Sequence, residues 1–225
     1  VLSNNMGDIK TVSFFMQECK KQALPVLGPD VNESKSLFSV NDKGEIRFGL
    51  AAVKGVGESA VESIIAEQQH GRFKSIYDFL SRVDAKASNK KTIENLALSG
   101  ALDAFGIERS AYFAPDGKNE TFIETLVRFA AAIRDNKNTT QVSLFGDSEE
   151  TTIAEPQPMK VEPWDTMTQL SKEKEVIGMF ISGHPLDDFS LEVNTFCSKG
   201  GLPLLQALET VNGRELKLAG TVVDV

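Results

Sequence analysis

The sequence predicts a mainly α-helical fold with one small β-hairpin and one flexible linker. Apolar residues recur at helical intervals in several segments between residues 7 and 181, and two short apolar runs flank the turn-forming stretch NDKG (residues 41–44). Between residues 135 and 165 this periodicity is lost, and Asn, Thr, Asp, Glu and Pro dominate. With 41% hydrophobic residues in a chain of 225, the remaining segments have enough apolar side chains to form a core.

The first fifty residues combine a helix with the predicted hairpin. Residues 7–22 are expected to form a helix with one buried face, because apolar side chains recur there at helical spacing. These side chains belong to Ile9, Val12, Phe15, Met16 and Cys19. Pro25 and Pro29 hold the next stretch extended. The runs 37–40 and 45–50 then form the two hairpin strands.

Helical segments follow the hairpin. Three or four short helices are expected between residues 51 and 105, a longer one from about Glu120 to Arg134, and another over 166–181. The inner face of the longer helix consists of Phe122, Ile123, Leu126, Val127, Ala130 and Ile133. The final run 216–225 alternates β-branched residues but has no partner strand, so we expect the chain to be a piece of a longer protein.

Composition argues against several classes of function. The formal net charge of −8 disfavours an evenly basic nucleic-acid binder, but residues 35–110 carry nearly equal numbers of basic and acidic side chains, whereas 111–170 are acidic. Cys19 and Cys197 lie far apart, with no Cys or His at ligand spacing, which disfavours a zinc site or a disulfide framework. Since no apolar run is long enough to cross a bilayer and no leader is recognisable, we expect a cytoplasmic protein that does not bind membranes.

The stretch LAAVKGVGESAVESII (residues 50–65) carries the most specific signal. Gly55 and Gly57 lie between apolar residues at helical spacing, which predicts a tight turn between two short helices. Such a turn leaves the backbone N–H groups of residues 55–58 uncovered, next to the free N–H groups that begin the second helix, and Lys54 adds a cation. We therefore predict a phosphate site that does not read DNA sequence. It comprises Lys54, Gly55, Val56, Gly57, Glu58 and Ser59.

This stretch resembles the helix-hairpin-helix motif of DNA-binding proteins, whose pattern is a hydrophobic residue, then Gly-hydrophobic-Gly, then Ala and Ile on the second helix. The matching residues are Val53, Gly55, Val56, Gly57, Ala60 and Ile64. The usual Pro-Gly opening is Lys54-Gly55 here, which leaves the phosphate role intact. The alternative is a glycine-rich turn that only packs. Glu58, Glu62 and Glu67 favour this alternative, because they would repel DNA if they faced it.

A second, weaker repeat is expected over residues 73–106. This stretch supplies two more helices, and four basic residues gather at their junction, although it has no Gly-x-Gly. These candidate DNA-binding residues are Arg82, Lys86, Lys90 and Lys91. A solvated helix junction explains the same pattern as well as a DNA contact does.

The linker contains a pentapeptide that cannot form a core alone, Gln141-Val142-Ser143-Leu144-Phe145. It resembles the bacterial sliding-clamp-binding motif, whose pattern is Gln, an aliphatic residue, Ser or Asp, Leu or Met, then Phe. Gln141 would then bond at the rim of a pocket that Leu144 and Phe145 fill, while Val142 replaces the more usual Leu. The alternative is that Leu144 and Phe145 fold back onto the neighbouring helix.

Five stretches that together run nearly the whole length resemble the C family of bacterial replicative DNA polymerases, the family of the polymerase III alpha subunits. They are SNNMGDIKTVSFFMQECKKQALPVLGPDVNES, IRFGLAAVKGVGESAVESII, NKKTIENLALSGALDAFG, KEKEVIGMFISGHPLDDF and LKLAGTVVDV. The resemblance implies double-stranded DNA, the sliding clamp (the beta subunit) and other subunits of the polymerase holoenzyme as partners. It also implies Mg²⁺ for the full-length polymerase, and no cofactor in this fragment.

The resemblance also implies a domain order. Residues 1–50 would end the fingers region, 51–115 would form a tandem helix-hairpin-helix domain, and 116–134 would form a helix. A linker with the clamp-binding motif over 135–165 and a helical connector over 166–200 would follow. Residues 201–225 would begin an OB-fold that is truncated here.

The sequence predicts no catalytic or metal site in this chain. Polymerases hold two Mg²⁺ ions with closely placed carboxylates, but the sequence has no Asp-x-Asp, and the adjacent Asp187 and Asp188 lie in a turn. His70 and His184 have no nucleophile or acid placed by spacing, so we interpret both as structural. Two other functions remain open: a helix-hairpin-helix module of a repair or recombination protein, and a self-contained nuclease or transferase. A Mg²⁺-dependent activity of the isolated chain would favour the last.

Overall fold

The computed structural model describes residues 1–142, 153–198 and 215–220. The chain divides into two compact units, Val1–Ile181 and Ser182–Val225. The first unit is mainly α-helical with a small sheet, as the sequence predicts. No helix in the described ranges has both the length and the apolar character needed to cross a bilayer.

The first unit opens with helix α1 (Ile9–Lys21) and a three-stranded sheet. Asp8 begins α1 by accepting hydrogen bonds from the backbone N–H groups of Lys10 and Thr11. The predicted hairpin is confirmed as β2 (Ser39–Val40) antiparallel to β3 (Ile46–Arg47). Strand β1 (Val26–Leu27), which pairs parallel with β3, was not predicted, because two residues are too few to display a strand period.

Five helices form the centre of this unit: α2 (Glu58–Gln68), α3 (Ile76–Arg82), α4 (Lys90–Leu98), α5 (Arg109–Phe113) and α6 (Phe122–Val142). Helix α6 packs on α3, α4 and α5. The core between these helices contains fully buried side chains from each of α2, α3, α4 and α6, namely Ile64, Ile76, Phe79, Ile93, Leu96, Ile123 and Leu126. Short helices with polar caps and one shared core therefore position the turns between them.

Helix α6 extends to Val142, eight residues past the expected end at Arg134. The added residues are mostly polar, but none is Gly or Pro, so nothing in them breaks a helix. This helix therefore occupies the first part of the predicted linker.

Residues 153–165, the last part of the predicted linker, lie against the helices rather than in free solution. The Tyr77 hydroxyl donates to the Pro156 carbonyl, and Ser110 Oγ donates to the Glu162 carbonyl at 3.0 Å. The Trp164 ring lies 5.5 Å from that of Phe113. Composition alone could not reveal this docking, because the partners of these residues lie 50 to 80 positions earlier in the sequence.

Helix α7 (Thr166–Ile177) completes the first unit. It begins at the Asp165 cap and ends at Gly178, whose φ of 89° suits glycine. Its Glu173 side chain is only 2% exposed and accepts from Arg109 Nη1 at 3.5 Å and from the Ile181 backbone N–H at 2.5 Å. A buried charge held by a cation and a backbone donor fixes where α7 lies on α4 and α5.

The second unit contains a 3-10 turn over Asp187–Phe189 and helix α8 (Ser190–Phe196). Asp187 Oδ2 accepts from the His184 backbone N–H at 2.6 Å, which closes the turn. Residues 215–220 form neither helix nor strand, and the rest of 199–225 lies outside the described residues. The expected start of an OB-fold over 201–225 therefore stays a prediction.

We expect Glu173→Ala to lower the free energy of unfolding by about 3 kcal/mol, because it leaves the Arg109 guanidinium without one of its two carboxylates in a buried position. Urea denaturation followed by circular dichroism measures the change. Glu175→Ala is the matched control, since Glu175 is exposed on the same helix, and we expect a change below about 0.5 kcal/mol. Equal losses in the two variants would contradict this account of the buried pair.

Candidate nucleic-acid interface

The glycine-rich turn connects a 3-10 turn over Leu50–Ala52 to helix α2. The expected first helix of the pair is thus a single 3-10 turn, which ends at Val53, where the backbone becomes extended (φ −81°, ψ 118°). The apolar positions of the motif are all buried, at 0% to 7% exposure: Val53, Val56, Ala60 and Ile64. The predicted packing of the motif is therefore confirmed.

Gly55 is required by both its backbone and its surroundings. Its φ is +73°, a region that residues with a Cβ rarely adopt. A Cβ built at this position would lie 2.1 Å from Asn95 Nδ2 of helix α4. The same nitrogen donates to the Lys54 carbonyl at 2.6 Å. Gly55 therefore allows α4 to approach the turn.

Gly57 is different, because nothing within the protein requires a glycine there. Its φ of −71° and ψ of 153° suit any residue, and a Cβ would meet no atom within 4 Å. It is the N-cap of α2 and is exposed. The missing side chain therefore leaves the start of α2 open to solvent.

The start of α2 presents free hydrogen-bond donors. The backbone N–H of Val56 is occupied by the Val53 carbonyl at 3.2 Å, which corrects the expectation that residues 55–58 are all uncovered. In the described part of the chain, the N–H groups of Gly57, Glu58 and Ser59 have no acceptor. These donors lie at the positive end of the α2 dipole, so they suit an anion.

Lys54 is tied to helix α7. Its backbone N–H donates to the Val176 carbonyl at 2.8 Å, and its Nζ donates to the Glu175 carbonyl at 3.3 Å. An ammonium near these carbonyls is favoured by the negative end of the α7 dipole. Lys54 is exposed and keeps further donors, but its position is set by α7 rather than by the turn alone.

Lys91 lies beside the turn, although the sequence analysis placed it in a separate group. Its Cε would be 3.6 Å from a Cβ at Gly55, and its side chain is exposed. It belongs to the first turn of α4, which Asn89 caps by accepting from the Thr92 N–H at 2.9 Å. The first turn of α4 therefore brings Lys91 next to Gly55, two residues before the N-cap of α2. No local sequence signal joins the two groups, because 34 residues separate Lys91 from Gly57.

The other predicted cations differ in availability. Lys86 is exposed, and no partner of its ammonium is found in the described ranges. Lys90 Nζ donates to Glu124 Oε1 on α6 at 2.8 Å. This bond, together with the Thr121 donors, lowers the pKa of Glu124 to about 2. The Lys90 ammonium is therefore paired with a carboxylate, whereas the exposed Lys86 and Lys91 side chains are better placed to meet a phosphate.

Arg82, also predicted to contact DNA, is held by several contacts within the protein. Its guanidinium donates to the carbonyls of Glu67 and Gly71 at the end of α2, and to the Glu67 and Asp78 carboxylates. It also lies 4.4 Å above the centre of the Phe73 ring. Arg82 therefore caps the carbonyl groups at the end of α2. It also forms an ion pair with Glu67, one of the acidic residues that would otherwise repel DNA.

The predicted clamp-binding residues lie at the edge of the described structure. The backbones of Gln141 and Val142 form the end of α6, and Ser143, Leu144 and Phe145 lie outside the described residues. Asp187 and Asp188 belong to the second unit. Within the described ranges, no group of three or more His, Cys, Asp and Glu side chains is placed to hold a metal ion.

Known proteins resemble the chain in two ways. A helix-hairpin-helix motif family matches residues 23–112. DNA polymerase III subunit alpha of Vibrio cholerae is 34% identical over 99% of this chain, and that of Escherichia coli K12 is 32% identical over 99%. The Thermus aquaticus protein of the same name is 39% identical over 83% of the chain. These alignments cover 19%, 19% and 14% of the three relatives, so the chain spans at most about one fifth of their length.

We expect Gly55→Ala to destabilise the chain by about 2 kcal/mol or more, because alanine is strained at φ +73° and its Cβ would collide with the Asn95 amide. Gly57→Ala is the matched control. We expect it to cost less than about 1 kcal/mol, since its Cβ enters open space and alanine is only a poorer N-cap. Thermal unfolding of both variants measures the difference, and a larger loss at Gly57 would contradict the geometry.

Proposed function

Since the chain belongs to the family of DNA polymerase III alpha subunits, we propose that it holds duplex DNA by its sugar-phosphate backbone within a replicative polymerase. The observation that carries the proposal is the open start of α2. Three backbone N–H groups are free there, at Gly57, Glu58 and Ser59. The packing of the protein does not require a glycine at position 57, and its missing side chain leaves these donors open. Lys91 lies next to Gly55 of the same turn. Backbone donors and an ammonium bind phosphate without reading bases.

The contact suits an enzyme that moves along DNA. Peptide N–H groups and a flexible lysine recognise every phosphate alike, so the binding free energy does not change from one step to the next. The acidic surface elsewhere limits the affinity of this chain on its own. The proposed role is therefore a weak, sequence-independent grip on the duplex.

A second contact would supply the retention that this grip lacks. We assign the proposed clamp-binding role to residues 141–145, because a glutamine followed by an apolar pair suits a pocket at a partner's surface. Two weak contacts on one chain raise each other's effective concentration. DNA and the sliding clamp would together hold the polymerase during processive synthesis.

Other parts of the proposal concern the full-length protein. We propose that it is a DNA-directed DNA polymerase of the cytoplasm, that its catalytic carboxylates and Mg²⁺ belong to regions outside this chain, and that further holoenzyme subunits contact it. A helix-hairpin-helix module of a repair or recombination protein would use the same open start of α2. The similarity to polymerase subunits over 99% of the chain favours the polymerase.

We expect Lys91→Ala to weaken duplex binding and to reduce the slope of log K against log salt concentration by about 1, because one fewer phosphate is neutralised. Fluorescence anisotropy with a labelled duplex of arbitrary sequence, repeated at several salt concentrations, gives both quantities. Lys20→Ala is the control, since Lys20 is exposed on α1. If both variants lost the same affinity, binding would be a diffuse charge effect and not the work of this site.

We expect the chain to bind a bacterial sliding clamp with a dissociation constant on the order of micromolar, since two buried apolar side chains offset the cost of ordering the peptide. Fluorescence polarisation against the purified clamp measures it. The double variant Leu144→Ala, Phe145→Ala should lose the binding. Equal binding of both proteins, or of neither, would leave only the DNA contact and favour the repair or recombination module.

A further inference from the structure

We propose that Asn95 is a positioning residue for the phosphate-binding turn. Its side-chain amide fixes the peptide between Lys54 and Gly55, and so determines where the free N–H groups at the start of α2 point. This inference deepens the proposed function, on which it rests. Asn95 itself is buried on α4, with 2% exposure, and does not reach DNA.

The amide contacts one peptide unit at both of its ends. Asn95 Nδ2 donates to the Lys54 carbonyl oxygen at 2.6 Å. The same atom occupies the place where any residue at 55 would carry a Cβ, at 2.1 Å. The hydrogen bond fixes the carbonyl, and the close approach requires a glycine at φ +73°. Together these contacts restrict the rotations of the backbone two residues before the α2 N-cap.

The oxygen of the Asn95 amide indicates that the side chain has a purpose beyond filling the core. Oδ1 is buried and has no hydrogen-bond partner within the described part of the chain. A buried amide oxygen without a donor costs free energy, and a leucine would fill a similar volume without that cost. Exchanging the two atoms of the amide would bring Oδ1 against the Lys54 carbonyl oxygen, so the orientation is determined. The sequence therefore retains an amide where an apolar side chain would suit the helix.

The same helix face connects the turn to the cation beside it. Lys91 and Asn95 are four residues apart on α4, so they lie on one face. One side chain holds the peptide of the turn, and the other places its charge next to Gly55. On the opposite side, the Lys54 N–H is bonded to the Val176 carbonyl of α7. Loss of the Asn95 amide would remove the hydrogen bond from α4 to the turn and leave the one to α7.

The test uses Asn95→Leu and Asn95→Ala in the 225-residue chain. Leucine cannot donate, and a methyl group cannot approach an oxygen to 2.6 Å, so the Lys54 carbonyl must shift. We expect both variants to bind a duplex about two- to tenfold more weakly by fluorescence anisotropy, because the displaced turn would no longer direct all of its free N–H groups at a phosphate, and one hydrogen bond to DNA is worth a factor of this size. We expect the urea midpoint of Asn95→Leu to fall less than that of Asn95→Ala, because leucine keeps the apolar packing and removes the unpartnered oxygen, although the hydrogen bond to Lys54 is lost.

A local readout separates positioning from general stability. In ¹H–¹⁵N spectra, duplex DNA should shift the amides of Gly57 and Ser59 in the wild type. In the Asn95 variants those shifts should shrink, while the shift at Lys91 persists. Gln68→Ala is the matched control, since Gln68 Nε2 also donates to distant carbonyls, those of Val31 and Ser34, but at the other end of α2. It should lose stability and keep its affinity for DNA.

Each outcome decides a different statement. Gly57→Val serves as a second comparison, because its side chain would cover the free N–H groups. If both Asn95 variants bound DNA as the wild type does while Gly57→Val bound it more weakly, the positioning role would be overturned and the proposed function kept. The positioning role would also be overturned if the Asn95 variants lost affinity only in proportion to their loss of stability, and if Gln68→Ala lost affinity in the same proportion. No binding by the wild type would overturn the proposed function itself.

Discussion

The backbone of Lys54 is where helices α4 and α7 both bond to the glycine-rich turn. Its carbonyl accepts from Asn95 of α4, and the N–H of Lys54 donates to Val176 of α7. These partners lie 41 and 122 residues later in the chain. The observed geometry of the turn therefore depends on both helices. Helix α7 follows the predicted linker, so a fragment ending before it would retain the glycine-rich turn but lose the Val176 acceptor of the Lys54 N–H.

Three arginine side chains of the first unit form hydrogen bonds or ion pairs within the protein. Arg82 closes the end of α2, Arg109 balances the buried Glu173, and Arg134 donates to Ser88 Oγ at 2.6 Å. A guanidinium has five donors in a fixed plane, which suits several carbonyls or carboxylates at once. The cations that stay at the surface beside the turn are lysines. An ammonium on a flexible chain can follow a moving phosphate, so this division of roles agrees with the proposed contact, which would slide along DNA.

Local pattern predicted the elements, and long-range contact decided what the residues do. The spacing of apolar residues located α1, α2 and α6, and the turn residues located the hairpin. The same reasoning grouped Arg82 with Lys91 because both are basic and near in sequence. The structure separates them, since Arg82 lies among carbonyls and an aromatic ring, whereas Lys91 lies beside Gly55. The two glycines looked alike, yet only Gly55 has a positive φ. Such distinctions depend on which helix packs against the turn, and no local period encodes that.

The two ends of the predicted linker matter for how a clamp contact would act. Helix α6 continues to Val142, and the chain rejoins the helices at Ile153, which packs against the core. Ten residues lie between these points, and ten residues span at most about 35 Å when fully extended. A clamp bound at residues 141–145 would therefore stay close to the unit that carries the phosphate-binding turn. Because effective concentration falls steeply as a tether lengthens, this short connection raises the benefit that each weak contact gains from the other. Anchoring both ends, rather than leaving a 31-residue free linker, would let a micromolar peptide contact suffice for the proposed role.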